Sequence, residues 1–308
     1  MQMRSSNPVL KRAMRSAQPG YGQPHQAPYG QGGPYQQPYG QPGYQQGYAG
    51  YPQPGQPPYG QPGYAEPHGQ PPMSAEDARP MSIDDVVIRS AMTIGMVILT
   101  AAINYFLFDP ANPGLSMMLT FGGMLGGLVL GLIIGFKGST NPALILIYAA
   151  LEGLFVGGIS RVFEVSAGTA PGQLVTSAVV GTIVAFATML TMYRMRIIRV
   201  TNTFVKVVSV ALVAALVLIL LNLVLSFFIP GGLGIREAGP LGIIVSLVMI
   251  VIACATLAIE FKGIEDGIEA GVPNKLAWQC AFGLTISLVW LYIEMLRLFW
   301  MLYAIFQD

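Results

Sequence analysis

From Val86 to Phe306 the chain runs as long apolar stretches broken by short clusters of Pro, Gly and charge. Each stretch is close to the ~20 residues that a helix needs to cross a bilayer. The pattern predicts seven spans, at 86–108, 115–136, 142–163, 172–193, 203–229, 240–260 and 276–306. The breaks fall at Pro110, Pro113 and Gly114, at Asn141-Pro142, at Pro171-Gly172, at Pro230-Gly231-Gly232, at Gly239-Pro240 and at Pro273, residues that interrupt helices. Runs of this length argue for helices, not for the short alternating strands of a barrel. The expected fold is therefore all-α: a polytopic membrane protein built as a seven-helix bundle. Six glycines in span two (Gly122, Gly123, Gly126, Gly127, Gly131 and Gly135) include several four-residue spacings, which let helices pack closely.

Residues 1–81 have a different pattern. Tyr-Gly-Gln-Pro units such as Pro28-Tyr29-Gly30-Gln31 fill 16–72, which holds nine of the fourteen tyrosines and almost no aliphatic side chains. Such a segment cannot offset its ordering entropy, so a disordered cytoplasmic tail is expected, followed by a membrane domain over 82–308. The first apolar run starts too late for a cleavable signal peptide, so the first span itself serves as the membrane address.

Charge sets the expected orientation. Only 10% of the residues are charged, against about a quarter in soluble domains. Arg4, Lys11, Arg12, Arg15, Arg79, Arg89, Lys137, Arg194, Arg196, Arg199, Lys206, Lys262 and Lys275 fall on one side of the predicted topology, and only Arg161 and Arg236 on the other. The excess of basic residues on cytoplasmic loops predicts a plasma-membrane protein with its N-terminus inside and its C-terminus outside.

Within this apolar background the acids are the candidate chemistry, because an ionisable group at a span's centre costs about 2.5–3.5 kcal/mol. Glu152 lies ~15 Å into span three, Glu294 ~18 Å from the far end of span seven, and Glu260 at the edge of span six. Arg297, one turn beyond Glu294, is its candidate ion-pair partner. Two carboxylates sharing a polar pocket can hold a proton or a cation between them, and Ca²⁺ takes several oxygen ligands with water filling the rest. Glu260 and Glu294 are thus the candidate proton- or cation-sensing pair and possible Ca²⁺ ligands, with Glu152 a candidate pathway acid. The acidic stretch Lys262 to Gly271 lacks an EF-hand's alternating ligands and reads as a solvated connector. Asn104 and Asn222 read as interhelical hydrogen-bond partners.

Other chemistries find no residues. His25 and His68, the only two histidines, lie in the tail, and Cys254 and Cys280 read as small buried hydrophobes. No enzyme, no cofactor beyond a bound or permeant Ca²⁺, and no nucleic-acid partner is expected.

Several segments then become specific: Tyr148-Ala-Ala-Leu-Glu152-Gly153, Glu260-Phe-Lys-Gly-Ile264, Gly267-Ile-Glu-Ala-Gly271-Val-Pro273, and Leu288-Val-Trp-Leu-Tyr-Ile-Glu294-Met-Leu-Arg-Leu298. Together they resemble the bacterial, YccA-like branch of the Bax-inhibitor-one family (the transmembrane Bax-inhibitor-motif proteins). The resemblance covers about 82–308 and leaves the Tyr/Gly/Gln/Pro tail outside. It implies a central last helix with six around it, and an activity like the family's pH-sensitive calcium leak channels. By motif, Glu260 and Glu294 take the places of the family's acid pair on helices six and seven, where Asp is common. Here the two are 34 positions apart, and span two carries no Arg to latch the helix-six acid. The alternative is a membrane-embedded regulator or partner of quality-control proteases or stress machinery, without transport.

Overall fold

A computed structural model describes residues 79–306, so the tail expected over 1–81, with its repeats, falls almost wholly outside the described residues. Seven long helices are present among them: α1 (Ile83–Leu107), α2 (Gly114–Lys137), α3 (Pro142–Ser166), α4 (Gln173–Arg194), α5 (Asn202–Ser226), α6 (Pro240–Glu269) and α7 (Ala277–Phe306), the last entered through a short 3₁₀ turn, Asn274–Leu276. All seven are long and apolar enough to cross a membrane. The protein is all-helical, as its hydropathy pattern predicts.

The ends are set by caps and breakers, not by where apolarity stops. Ser82 and Asp85 form a reciprocal capping box that starts α1. Gly138, at φ 61°, closes α2 in the left-handed conformation that glycine tolerates. Two helices run on past the apolar stretches that mark them. Span three does not stop at 163: nothing breaks the helix before Gly168, so α3 runs to Ser166. The stretch from Lys262 to Glu269 is helical. It continues α6, supported by Lys262 ion pairs to Glu265 (3.3 Å) and Asp266 (2.8 Å) at helical spacing. The helix ends only at Gly271 (φ 62°) and Pro273. At 30 residues each, α6 and α7 reach ~45 Å, past a ~30 Å hydrocarbon core.

The chain alternates direction, giving the bundle two ends. At one, Met81 pairs with Val272, Gln279 donates to the carbonyl of Gly138, and Tyr193 donates to Glu265. At the other, Tyr105 reaches Glu164, and Gln173 reaches Tyr303. Arg79, Lys137, Arg194 and Lys262 all belong to the first, basic end.

Helix α7 is central, with the other six helices around it. It packs along its length against α1, α3, α4 and α6. Helix α2 lies outside, chiefly on α3, and α5 lies outside on α6. The main apolar core joins α6 and α7 through Ile250, Ala253, Leu257, Phe261, Leu284 and Leu291.

Small residues and one amide fix the α1–α2–α3 side. A Cβ on Gly157 would lie 2.1 Å from the Ala101 carbonyl oxygen, and one on Gly153 2.3 Å from that of Val97, so α3 touches the α1 backbone directly. In α2, Gly123 meets α3 as closely, whereas Gly122 and Gly135 face open space. Asn104, fully buried, donates to Thr120 Oγ1 (2.9 Å) and the Leu154 carbonyl (2.6 Å) and accepts from Ser116 (2.8 Å), joining three helices. Asn222 does something else: its Oδ1 accepts from the Leu233 amide (2.9 Å) and pins the α5–α6 loop, with no interhelical role.

Candidate functional site

The α6–α7 hairpin positions Glu260. Its carboxylate lies against α7 at Gly283, where an added Cβ would come within 2.6 Å of Oε2. Only a glycine leaves that approach open. The acid lines a cavity of about 250 Å³ together with Gly135 and Gly138 of α2, Gln279, Cys280, Phe282 and Gly283 of α7, and Met81. Among the described residues Glu260 has no ion pair and no hydrogen bond. One other polar atom at this cavity is unsatisfied: Gln279 donates its amide to the Gly138 carbonyl, which leaves its Oε1 buried without a donor.

Glu294 is placed elsewhere. It lies eleven residues beyond Gly283, ~16 Å along α7, and its neighbour on α6 is Ser246, whose Oγ donates to the Glu294 carbonyl oxygen (3.3 Å). Arg297 sits one turn on, with Nη2 2.6 Å from Glu294 Oε2 and both residues 2% exposed. The expected pocket shared by Glu260 and Glu294 is therefore not what the hairpin builds. An antiparallel hairpin sets Glu260 opposite Gly283, Ser246 opposite Glu294 and Gly242 opposite Met301. The two acids occupy different levels and cannot ligate one ion together.

Glu152 is also separate. It accepts from Tyr148 Oη (2.8 Å), one turn earlier on α3, and faces Gly127 of α2. Tyr148 stacks edge-on against Phe282 (centroids 4.9 Å apart), so a phenol and a phenyl ring stand between Glu152 and the Glu260 cavity.

A fourth acid went unread in the sequence. Glu164, fully buried, accepts from Tyr105 Oη (2.6 Å), Arg161 Nη1 (3.3 Å) and the Val175 amide (3.2 Å). It satisfies an orphan N–H in the first turn of α4 and ties α1, α3 and α4 together at the far end. Ending span three at 163 placed it in a loop. The signal available was Arg161 three residues earlier, on the same face of a helix that nothing had yet broken.

Chemically, one unpaired carboxylate in a small cavity can take up a proton or hold a hydrated cation briefly. It cannot supply the six to eight oxygens of a tight calcium site. No group of three or more His, Cys, Asp or Glu capable of holding a metal occurs among the described residues. A second cavity, of about 640 Å³, opens between α1 and α4 over a floor of α3 and α7, and its walls are almost wholly apolar.

No match to the chain is found among curated proteins. A family profile does match, and it begins at residue 7, so its span includes the Tyr/Gly/Gln/Pro tail that the motif resemblance left outside. That match spans residues 7–304, in keeping with seven helices long and apolar enough to cross a membrane: the chain belongs to the Bax inhibitor 1 like family.

Proposed function

We propose that this multi-pass membrane protein is a pH-responsive cation leak, with calcium its cargo, and that Glu260 is the group through which protons and cations compete. The observation that carries this reading is the unpaired Glu260 carboxylate, which lines a cavity of about 250 Å³ at the basic end of the bundle. A charged carboxylate left without a partner in such a place costs free energy, and that cost falls when a proton or a cation arrives. Membership of the Bax inhibitor 1 like family supports the same reading, as does the similarity of the chain's motifs to the YccA-like branch. In this proposal the basic end faces the cytoplasm of a plasma-membrane protein, in line with the charge asymmetry of its loops. Glu294, with its charge already balanced by Arg297, maintains the far half of α7, and Glu152 holds the α2–α3 contact beside the path.

The test is calcium flux into liposomes containing the full-length protein, measured at two pH values. Parent protein should pass calcium at rates that differ between them, and Glu260→Gln should remove the difference while leaving the protein folded. A Glu260→Gln protein whose flux still tracks pH as the parent's does would refute the assignment.

A further inference from the structure

We propose that residues 79–82 form a releasable strap whose Met81 side chain closes the basic-end mouth of the Glu260 cavity. The inference rests on the reading of that cavity as the functional site and adds its regulation.

Met81 precedes α1, yet it is 3% exposed and lines the cavity with Ile264, Val272 and Leu276. Two backbone hydrogen bonds hold it there. The Met81 amide donates to the Val272 carbonyl (2.8 Å), and the Asn274 amide donates to the Arg79 carbonyl (2.8 Å), around an isolated antiparallel bridge between Pro80 and Pro273. Neither proline has an N–H, so the pairing cannot extend into a ladder. A further fastener is a bidentate pair from Arg79 to Asp85, at 2.6 and 3.0 Å, with Asp85 also accepting from Ser82. The Arg79 side chain is 46% exposed, so water and salt compete for that pair.

The strap is thus a buried apolar plug on a short, half-exposed catch. The α6–α7 turn beneath it is anchored independently. Arg89 of α1 donates to the Asn274 carbonyl and stacks over Trp278 at 5.4 Å. Residues 79–82 can lift while that turn stays in place.

Cys280 lines the same cavity and reports on its access. In full-length protein carrying Cys254→Ala, reconstituted in nanodiscs so that both faces meet solvent, the rate of labelling by a charged maleimide is read as modification of the peptide bearing Cys280. Arg79→Ala should raise that rate about two- to fivefold, the scale of losing a half-exposed ion pair, and Met81→Ala, which removes the plug itself, should raise it at least as much. Pro80→Cys with Pro273→Cys, oxidised, tests the reverse, since bridge partners lie ~4.5–5.5 Å apart between Cα atoms, within disulfide range. In the Arg79→Ala background this lock should return Cys280 labelling to the parent rate, and reductant should release it again. Rates unchanged by release would overturn the proposal. So would a raised rate that the lock fails to lower, because the rise would then come from general unfolding. The readout involves no flux, so a protein that passes no calcium would sink the leak reading and leave the strap standing.

Discussion

Replacing Glu294 or Arg297 separates a buried ion pair from a decorative one. Both side chains are 2% exposed, with Glu294 Oε2 2.6 Å from Arg297 Nη2, three residues apart on one helix. On a solvated helix face such a pair contributes about 0.2–0.5 kcal/mol. Buried, the arithmetic changes: removing one partner leaves the other charge uncompensated and costs about 3–5 kcal/mol. Removing both in favour of apolar residues of similar volume is neutral or stabilising, by about 1–4 kcal/mol. Glu294→Leu and Arg297→Met should therefore each destabilise strongly, while the double variant recovers most or all of the loss. The coupling should far exceed the ~0.3–0.5 kcal/mol expected of independent sites. Unfolding by SDS titration in mixed micelles reads this directly, because Trp278, Trp290 and Trp300 all lie on α7 and report its packing by fluorescence. Single variants within about 0.5 kcal/mol of the parent, adding without coupling, would show that the pair is screened and that the burial argument fails. The same variants bear on function: Glu294→Gln should keep the pH response of flux that Glu260→Gln loses.

Gly283→Ala brings a methyl to 2.6 Å of the Glu260 carboxylate, so Glu260 must rotate away. We expect a cost of about 1–3 kcal/mol and reduced calcium flux, and a variant with parental flux would show that the close approach is incidental. Glu164→Ala strips the acceptor from Tyr105, Arg161 and the Val175 amide, and should cost about 3–5 kcal/mol by strong analogy to other buried pairs. Thermal unfolding that matches the parent's would contradict its role as a tie. For topology, a cysteine introduced at Ala238 should label from outside intact cells and one at Arg196 only after permeabilisation. The opposite pattern would reverse the orientation of the leak.

The number and order of helices were legible because each carries a full crossing of apolar residues and the breakers between them are Pro and Gly. The helix ends were less so. Apolarity marks where hydrocarbon stops, whereas a helix stops at a breaker, which is why α6 overran its span to Gly271 and α3 carried Glu164 inside. The separation of Glu260 from Glu294 was readable in principle. Partners in an antiparallel hairpin lie equally far from its turn, and the turn is marked by Gly271 and Pro273. Glu260 is eleven positions before Gly271 and Gly283 twelve after it, whereas Glu294 is 23 after. That count, and not the motif, matches the hairpin's register. What no pattern in the chain shows is the strap, since Arg79, Pro80 and Met81 read as the last residues of a polar tail, and their partners are some 190 positions away. Glycine count does not mark the tightest contact either: span two has more glycines, yet Gly153 and Gly157 of α3 are the ones that meet the α1 backbone.

Backbone-to-backbone contact of that kind has a mechanical consequence. Where Gly153 and Gly157 seat α3 on the carbonyls of Val97 and Ala101, with the Thr100 hydroxyl as close, little rotamer freedom remains to ease the two helices apart, so they move as one beam. Helix α2 is joined to that beam by Gly123 and by the Asn104 bonds. Between α1 and α4 there is no such seat, only the 640 Å³ gap with apolar walls. On this side of the bundle the soft boundary is therefore the one between α4 and the stiff three-helix plate, across that gap.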